Sequence, residues 1–218
     1  MCTVIVKTGD PLRLMGVRDE FTGRPWEKPG EHWPAYPGVT GGRDLLAGGT
    51  WLAVRAEDRR AAALLNGRGH PAPEHSRRSR GDLPLRAVVE GGLPDVELPR
   101  YDPFHLVLAD PDGALMWSWD GRRLRRTTLP EGTSVIVNSG LDLGDPRVRA
   151  QRPLFAGSDD WWALTRATQS ADPGALIMRQ DLPDGRVFAS LSVTLVTISA
   201  DGVATEFDDV SGRIGSQA

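Results

Sequence analysis

One cysteine, Cys2, stands in the whole 218-residue chain. An internal disulfide is therefore excluded, and so is a cysteine-rich zinc site. Lysine is almost absent: Lys7 and Lys28 are the only two, and arginine supplies the rest of the positive charge. The formal net charge is -3 with a pI near 5.8, so no basic excess points to a nucleic-acid partner. No apolar run approaches the ~20 residues of a membrane-spanning helix. The first residues lack the charged region and long apolar core of a signal peptide. These absences lead to the expectation of a soluble, cytoplasmic chain with no nucleic acid and no membrane span. No coiled-coil pattern or other assembly signature indicates an oligomeric state.

What is present suits a globular protein. A hydrophobic fraction of 39% with 25% charged residues is enough to build a core, and the length fits a single domain over residues 1–218. Residues 3–7 are β-branched and apolar and read as a strand. Gly9-Asp10-Pro11 is a turn, and residues 12–17 read as its hairpin partner. Residues 23–43, rich in Pro, Gly and Trp, read as a long irregular loop. Residues 48–54 read as a turn and strand, and residues 61–65 as another strand ending at Asn66-Gly67. Residues 68–80 read as an exposed loop, and residues 83–90 as a helix. A hairpin is expected over residues 104–119, turning at Asp110-Pro111-Asp112-Gly113. A strand follows at residues 134–137. The best helical material lies in residues 145–180, including 159–169. A final hairpin joins residues 187–199 to 203–207. Many hairpins with few helices give an α+β class, with helices packed over antiparallel sheets.

Removal of Met1 would make Cys2 amino-terminal. One residue would then carry both a thiol nucleophile and an amine able to act as its base. The same cysteine is also a suitable small hydrophobe at the start of a strand. The first hairpin carries Arg18 and Asp19 back beside Cys2, where they are either site residues or a structural ion pair. Among the seven tryptophans, Trp26 and Trp33 are candidates to line an apolar pocket; core packing or a partner surface is an equal alternative. Arg77, Arg78 and Arg80 form a basic run, read as a solvated loop. His70 and His75 with Glu74 between them do not make a recognisable zinc pattern.

These residues also carry a family resemblance. Met1-Cys2, followed by Val17-Arg18-Asp19-Glu20-Phe21 and Arg24-Pro25, resembles the Asn-Arg-Asp-Glu signature of the NRDE family, also called the transport-and-Golgi-organisation protein 2 family. Gly48-Gly49-Thr50-Trp51-Leu52 is similar to its Gly-Gly-Thr-Trp-Leu-Gly segment. Leu65-Asn66, Ser79-Arg80-Gly81-Asp82-Leu83, the strand from Phe104 to Asp110, and Asn138 continue the likeness in order. It is weaker in the C-terminal third.

The resemblance implies an N-terminal nucleophile hydrolase-like fold, a four-layer αββα sandwich, and kinship with the choloylglycine hydrolase and penicillin V acylase group. It implies hydrolysis of a small-molecule, non-peptide amide through an acyl-Cys2 intermediate, with no metal or organic cofactor. Cys2 would be nucleophile and base. Arg18 would favour the thiolate, Asp19 would hold the amine, and Asn66 and Asn138 would donate to the oxyanion. Asn66-Gly67 is equally suited to be a simple turn. The alternative is a catalytically silent member that binds or carries a hydrophobic ligand such as haem or a lipid acyl compound. Two departures favour that alternative: Val17 replaces the signature asparagine, and Leu191 falls where the family has an arginine. Arg186 is the candidate replacement for the latter.

Overall fold

The computed structural model describes residues 2–166 and 169–213. Two antiparallel sheets form its centre. The first has six strands in the order β10 (Thr133–Ile136), β1 (Thr3–Lys7), β2 (Leu12–Phe21), β12 (Val187–Ser199) and β11 (Arg179–Asp181), with β13 (Gly202–Asp209) also paired to β12. The second is a seven-stranded meander: β3 (Trp26–Gly30), β4 (Val39–Asp44), β5 (Leu52–Arg55), β6 (Arg60–Asn66), β7 (Phe104–Asp110), β8 (Gly113–Trp119) and β9 (Leu124–Thr128).

Period-two alternation assigns each strand residue to one face. On the first sheet Val4, Val6, Leu12 and Leu14 face Leu52, Val54, Ala63, Leu65 and Val107 of the second, and these form the core between the sheets. Ile5, Met15, Val17 and Val193 face the other way, against Val148 and Phe155 of α2 (Pro146–Gly157) and Trp161 of α3 (Trp161–Thr165). The outer face of the second sheet is covered by α1 (Leu83–Glu90), through Leu83, Leu85, Ala87 and Val88 against Ala53, Ala62 and Leu106. The layer order is therefore α, β, β, α, as the resemblance implies.

Most expected elements are present, and the helix at residues 83–90 has the expected bounds. Four differ. The stretch read as an irregular loop, residues 23–43, contains β3 and most of β4. Pro29 is tolerated there because β3 is an edge strand. β9 and β11 carry the charged sequences LRRTT and RQD and show no alternation, because edge strands expose much of their side-chain surface. β2 runs on through Arg18 and Asp19 to Phe21, so these two charged residues lie inside a strand rather than at its end. The helical stretch 145–180 divides into α2 and the short α3, and the expected helix at 159–169 is described only to Thr165; residues 167 and 168 lie outside the described residues.

One backbone contact joins the second sheet to the long loop. A Cβ on the buried Gly49 would stand 2.4 Å from the carbonyl carbon and oxygen of Gly81, where Thr50 N donates to Gly81 O at 2.8 Å. Backbone on both sides leaves no flexible group to yield. Gly49→Ala should therefore destabilise by roughly 1–3 kcal/mol, the range for overpacking. Gly23→Ala, with no atom within 4 Å of the added Cβ, should stay within about 0.5 kcal/mol of the parent. Urea denaturation of both proteins checks the contrast; equal midpoints would refute it.

Candidate active site

The β1–β2 register pairs Thr3 with Val17, so the next residues outward, Cys2 and Arg18, lie together. Alternation then separates their neighbours. Cys2 packs against the core between the sheets, and Arg18 follows Leu12 and Leu14 on that same side. Thr3 and Asp19 follow Ile5, Met15 and Val17 toward α2. A strand is thus a device for sending adjacent charges in opposite directions.

Arg18 is 3% exposed. Its Nη2 reaches Asp44 Oδ2 at 3.3 Å, and its guanidinium lies 4.3 Å from the Trp51 ring centroid and 5.7 Å from that of Trp26. These contacts fix the cation in place. Asp44 is the anchor. It accepts from Arg24 Nε at 2.6 Å and from the backbone N–H groups of Leu46 and Ala47. Burial pushes its carboxyl up, but the Arg24 and backbone hydrogen bonds and the two arginine charges win, and it is held below the usual carboxylate range.

Asp19 is buried with its carboxylate on the α2 side. It accepts from Arg147 Nη1 at 2.8 Å and from Ser190 Oγ at 2.6 Å. Arg147 also donates to Thr3 Oγ1 at 2.8 Å. Burial pushes the Asp19 carboxyl up, opposed chiefly by Arg147. The sequence places Arg147 without announcing it: Asp145 caps α2 by accepting from Arg147 N, and Pro146 occupies the first turn, so the second helical residue turns inward. Ser190 reaches Asp19 through a β-bulge. Ser190 pairs with Asp19 and Ser192 with Arg18, leaving Leu191 as the extra residue.

The bulge fixes the place of Leu191, one of the two candidate arginine positions. Leu191 is buried, at 1% exposure, and Arg186 lies in the turn before β12, paired with Asp184 and stacked on Phe21. Arg186 does not line the cleft. Arg147 is the arginine that meets Asp19, from a helix rather than from the late strand.

Cys2 N donates to Asn138 Oδ1 at 3.3 Å, and Cys2 Sγ lies 3.9 Å from Asp19 O. Asn138 follows β10, and its carbonyl meets His105 Nε2 at 3.2 Å, while Nδ1 of that ring is 2.8 Å from Ser118 Oγ. Burial pulls the His105 pKa down. A neutral ring with its proton on Nε2 donates to Asn138 and accepts from Ser118. Burial also pushes the Cys2 thiol up, and Asp19 adds to this, while Arg18 pulls it down. Arg18 acts toward the thiolate, but desolvation outweighs it.

These groups open on a cleft of about 490 Å³, a size suited to a small molecule. It is lined by Cys2, Arg18 and Asp19 on one wall, by Trp51 and Asn66 on the other, and by Arg77 to Gly81 at the rim. Trp26 and Trp33 do not line it. Trp26 stands behind Arg18 against Trp51 and Phe207, and Trp33 donates to Gly48 O and packs on His32. Trp51 is the tryptophan at the cleft. The basic run read as a solvated loop is part of the rim, because the Gly49–Gly81 contact holds it there. Among the described residues, no cluster of three or more His, Cys, Asp or Glu has the arrangement of a metal site, and no helix is long and apolar enough to cross a membrane.

Residues 1–161 match the Transport and Golgi organisation 2 family, and the chain belongs to that family. Among solved structures, penicillin V acylase from Agrobacterium tumefaciens is similar at a TM-score of 0.45 and 11% identity, with 100% of this chain and 89% of that chain covered. No curated protein sequence matches the chain.

Two outcomes follow from this geometry. Arg147→Met removes the arginine charge that opposes burial of the Asp19 carboxylate, and removing one partner of a buried pair costs about 3–5 kcal/mol; a loss under 1 kcal/mol in urea denaturation would show that the pair is dispensable. The raised thiol makes alkylation of Cys2 by iodoacetamide, in protein retaining Met1, rise with pH through a midpoint above the ~8.5 of a free thiol. Asp19→Asn should lower that midpoint and Arg18→Met raise it, as read by mass spectrometry of timed samples. A wild-type midpoint at or below that of an unfolded control would contradict the burial argument.

Proposed function

We propose that this protein is a hydrolase of non-peptide amides that uses Cys2 as an N-terminal nucleophile. One observation carries the reading: the only cysteine of the chain lies in the cleft with Arg18 and Asn66, and its backbone nitrogen meets Asn138.

The chemistry begins with loss of Met1, which frees the Cys2 amine. The thiol proton passes to that amine, and the sulfur attacks the amide carbonyl. The C–N bond breaks, the amine leaves with the proton, and an acyl-Cys2 thioester remains. Water activated by the same amine then releases the acid and regenerates the thiol. Arg18, already held by Asp44 and Trp51, offsets part of the desolvation that opposes thiolate. Asp19 holds the amine end of the strand. Asn138 has its side-chain oxygen committed to Cys2 N, leaving its NH₂ as a donor. Asn66, exposed at the end of β6, supplies a second. A donor aimed at the oxyanion is worth roughly 3–4 kcal/mol of barrier.

The carrier alternative rested on Val17 and Leu191. Both are buried, at 1% exposure, and neither lines the cleft. Their apolar character therefore strips no polar group from it. The lining is rich in arginine and carboxylate, which does not favour a purely apolar ligand such as a lipid acyl chain.

Intact mass of the purified, untagged protein should show the loss of one methionine residue. The processed protein should then cleave members of a panel of N-acyl amides with a chromogenic amine. Cys2→Ala should abolish cleavage and leave the fold intact by circular dichroism. Asn66→Ala should slow it by about 100-fold or more, as removal of an oxyanion donor does. Full retention of Met1, or cleavage that survives Cys2→Ala, would defeat the mechanism.

A further inference from the structure

From Phe104 to Ala109 the strand β7 is buried, and His105 is the one polar residue in that run. A buried ring of this kind needs a partner for each nitrogen. Register supplies the first. His105 pairs with Leu65 of β6 and with Ser118 of β8, and residues paired directly across strands share a face. Leu65 lies in the core between the sheets. The His105 ring therefore faces the first sheet, with Ser118 Oγ 2.8 Å from its Nδ1. The second partner comes from the opposite sheet, where Nε2 meets the Asn138 carbonyl at 3.2 Å.

That carbonyl sits in the middle of a tight turn. Val137 and Gly140 close the turn by exchanging backbone hydrogen bonds at 3.2 and 2.7 Å, and Asn138 and Ser139 form its tip. The closing bonds do not use the peptide group between the two tip residues. His105 supplies a donor to that peptide from outside the turn. Its ring also lies against Gly140, where an added Cβ would stand 3.3 Å from Cε1. The same Asn138 presents Oδ1 to Cys2 N at 3.3 Å. A continuous series of contacts thus runs from Ser118 through His105 and Asn138 to Cys2.

Resting on the reading of Cys2 as an N-terminal nucleophile, we propose that His105 is a positioning residue for it: oriented by Ser118, it holds the Asn138 peptide, and Asn138 holds the Cys2 nitrogen. His105 does not itself line the cleft. The role requires a proton on Nε2 and a lone pair on Nδ1 that accepts from Ser118. The opposite tautomer would set a lone pair against the Asn138 oxygen. Burial pulls the ring's pKa down, which keeps it neutral. An amine that donates one N–H to Asn138 has its lone pair directed before the substrate arrives.

The first test needs no turnover. Cys2 is the only cysteine, so isotope-labelled cysteine gives one backbone amide signal in protein retaining Met1. Hydrogen exchange of that amide reads its bond to Asn138. His105→Phe keeps a ring and removes both nitrogens. It should speed the exchange by about five- to tenfold, as loss of one ordinary hydrogen bond does, and Asn138→Ala should match it. His105→Gln, with a donor and an acceptor, should recover part of the protection. The amide of Ile5, further along β1, should keep its protection in every variant. Unchanged exchange at Cys2 in His105→Phe would overturn the proposal. So would equal loss at Ile5, which would make His105 a residue of the fold alone. Should His105→Phe fail to fold, the imidazole nitrogen shifts of the wild-type protein decide. His105, the one buried histidine of the four, should carry its proton on Nε2, and a proton on Nδ1 would overturn the assignment. In processed protein that cleaves an N-acyl amide, His105→Phe should lower kcat by about ten- to a hundredfold and leave KM unchanged; a change in KM alone would overturn the positioning role. Absence of all cleavage would defeat the hydrolase reading and not the contact series, which exchange judges by itself.

Discussion

The ion pair of Asp19 and Arg147 is the interaction on which the amino-terminal architecture depends. Both side chains are almost wholly buried. The carboxylate belongs to β2, the guanidinium to α2, and the hydroxyls of Thr3 and Ser190 bring in β1 and β12. A single charge pair therefore ties three neighbouring strands to the helix that covers them. Burying two ions is expensive, and the cost is offset only when their remaining hydrogen-bonding capacity is met. Here it is met on the Asp19 side by an arginine and a serine, each at short distance. Apolar residues of similar shape would fill the same space. What the pair adds is register, since its partners are satisfied only when the bulge at Leu191 and the start of α2 are both in place.

A second set of charges faces the other way from the same strand. Arg18 joins Asp44, Arg24 and the tryptophan faces between the sheets, while Asp19 joins Arg147 outside them. The two residues are adjacent in sequence, yet each pairs with a distant partner rather than with the other. This arrangement explains the state of the thiol. Cys2 lies between a cation on its own face and a carboxylate whose main partners lie on the opposite one. Desolvation and the Asp19 charge both push its thiol up and outweigh the pull of Arg18. A fixed cation beside a sulfur is thus not enough to keep a thiolate in a desolvated place; a proton acceptor next to it is also required. The Cys2 amine has the right chemistry for that role, which is why processing of Met1 matters to the proposed reaction.

The Arg77–Gly81 segment shows how a rim becomes part of a site. By composition it is a polar loop. Its position follows from two glycines, Gly49 and Gly81, whose backbones touch where no side chain fits. That contact holds a basic run, whose Arg77 and Arg78 remain exposed, at the rim of the Cys2 cleft.

Much of the fold was readable in the sequence, because alternation and turn chemistry are local. Residues 3–7 are a β-branched apolar run and residues 12–17 a second apolar segment across Gly9-Asp10-Pro11, and that hairpin alone brings Cys2 to Arg18. The helix at 83–90 has Pro84 in its first turn and Gly91 beyond its end, which are local stop and start signals. The family signature was likewise a matter of linear order. Other features depend on partners remote in sequence. β9 and β11 are strands only because a neighbour supplies hydrogen bonds. Arg147 lies 128 residues from Asp19, and nothing around it distinguishes it from the many arginines nearby. Trp51 rather than Trp26 or Trp33 reaches the cleft because of how β4 and β5 pair. The sequence by itself determined the family signature and the order of most strands and turns. Only the tertiary structure decided which arginine meets which carboxylate, because charge pairing depends on distance through space and not on order along the chain.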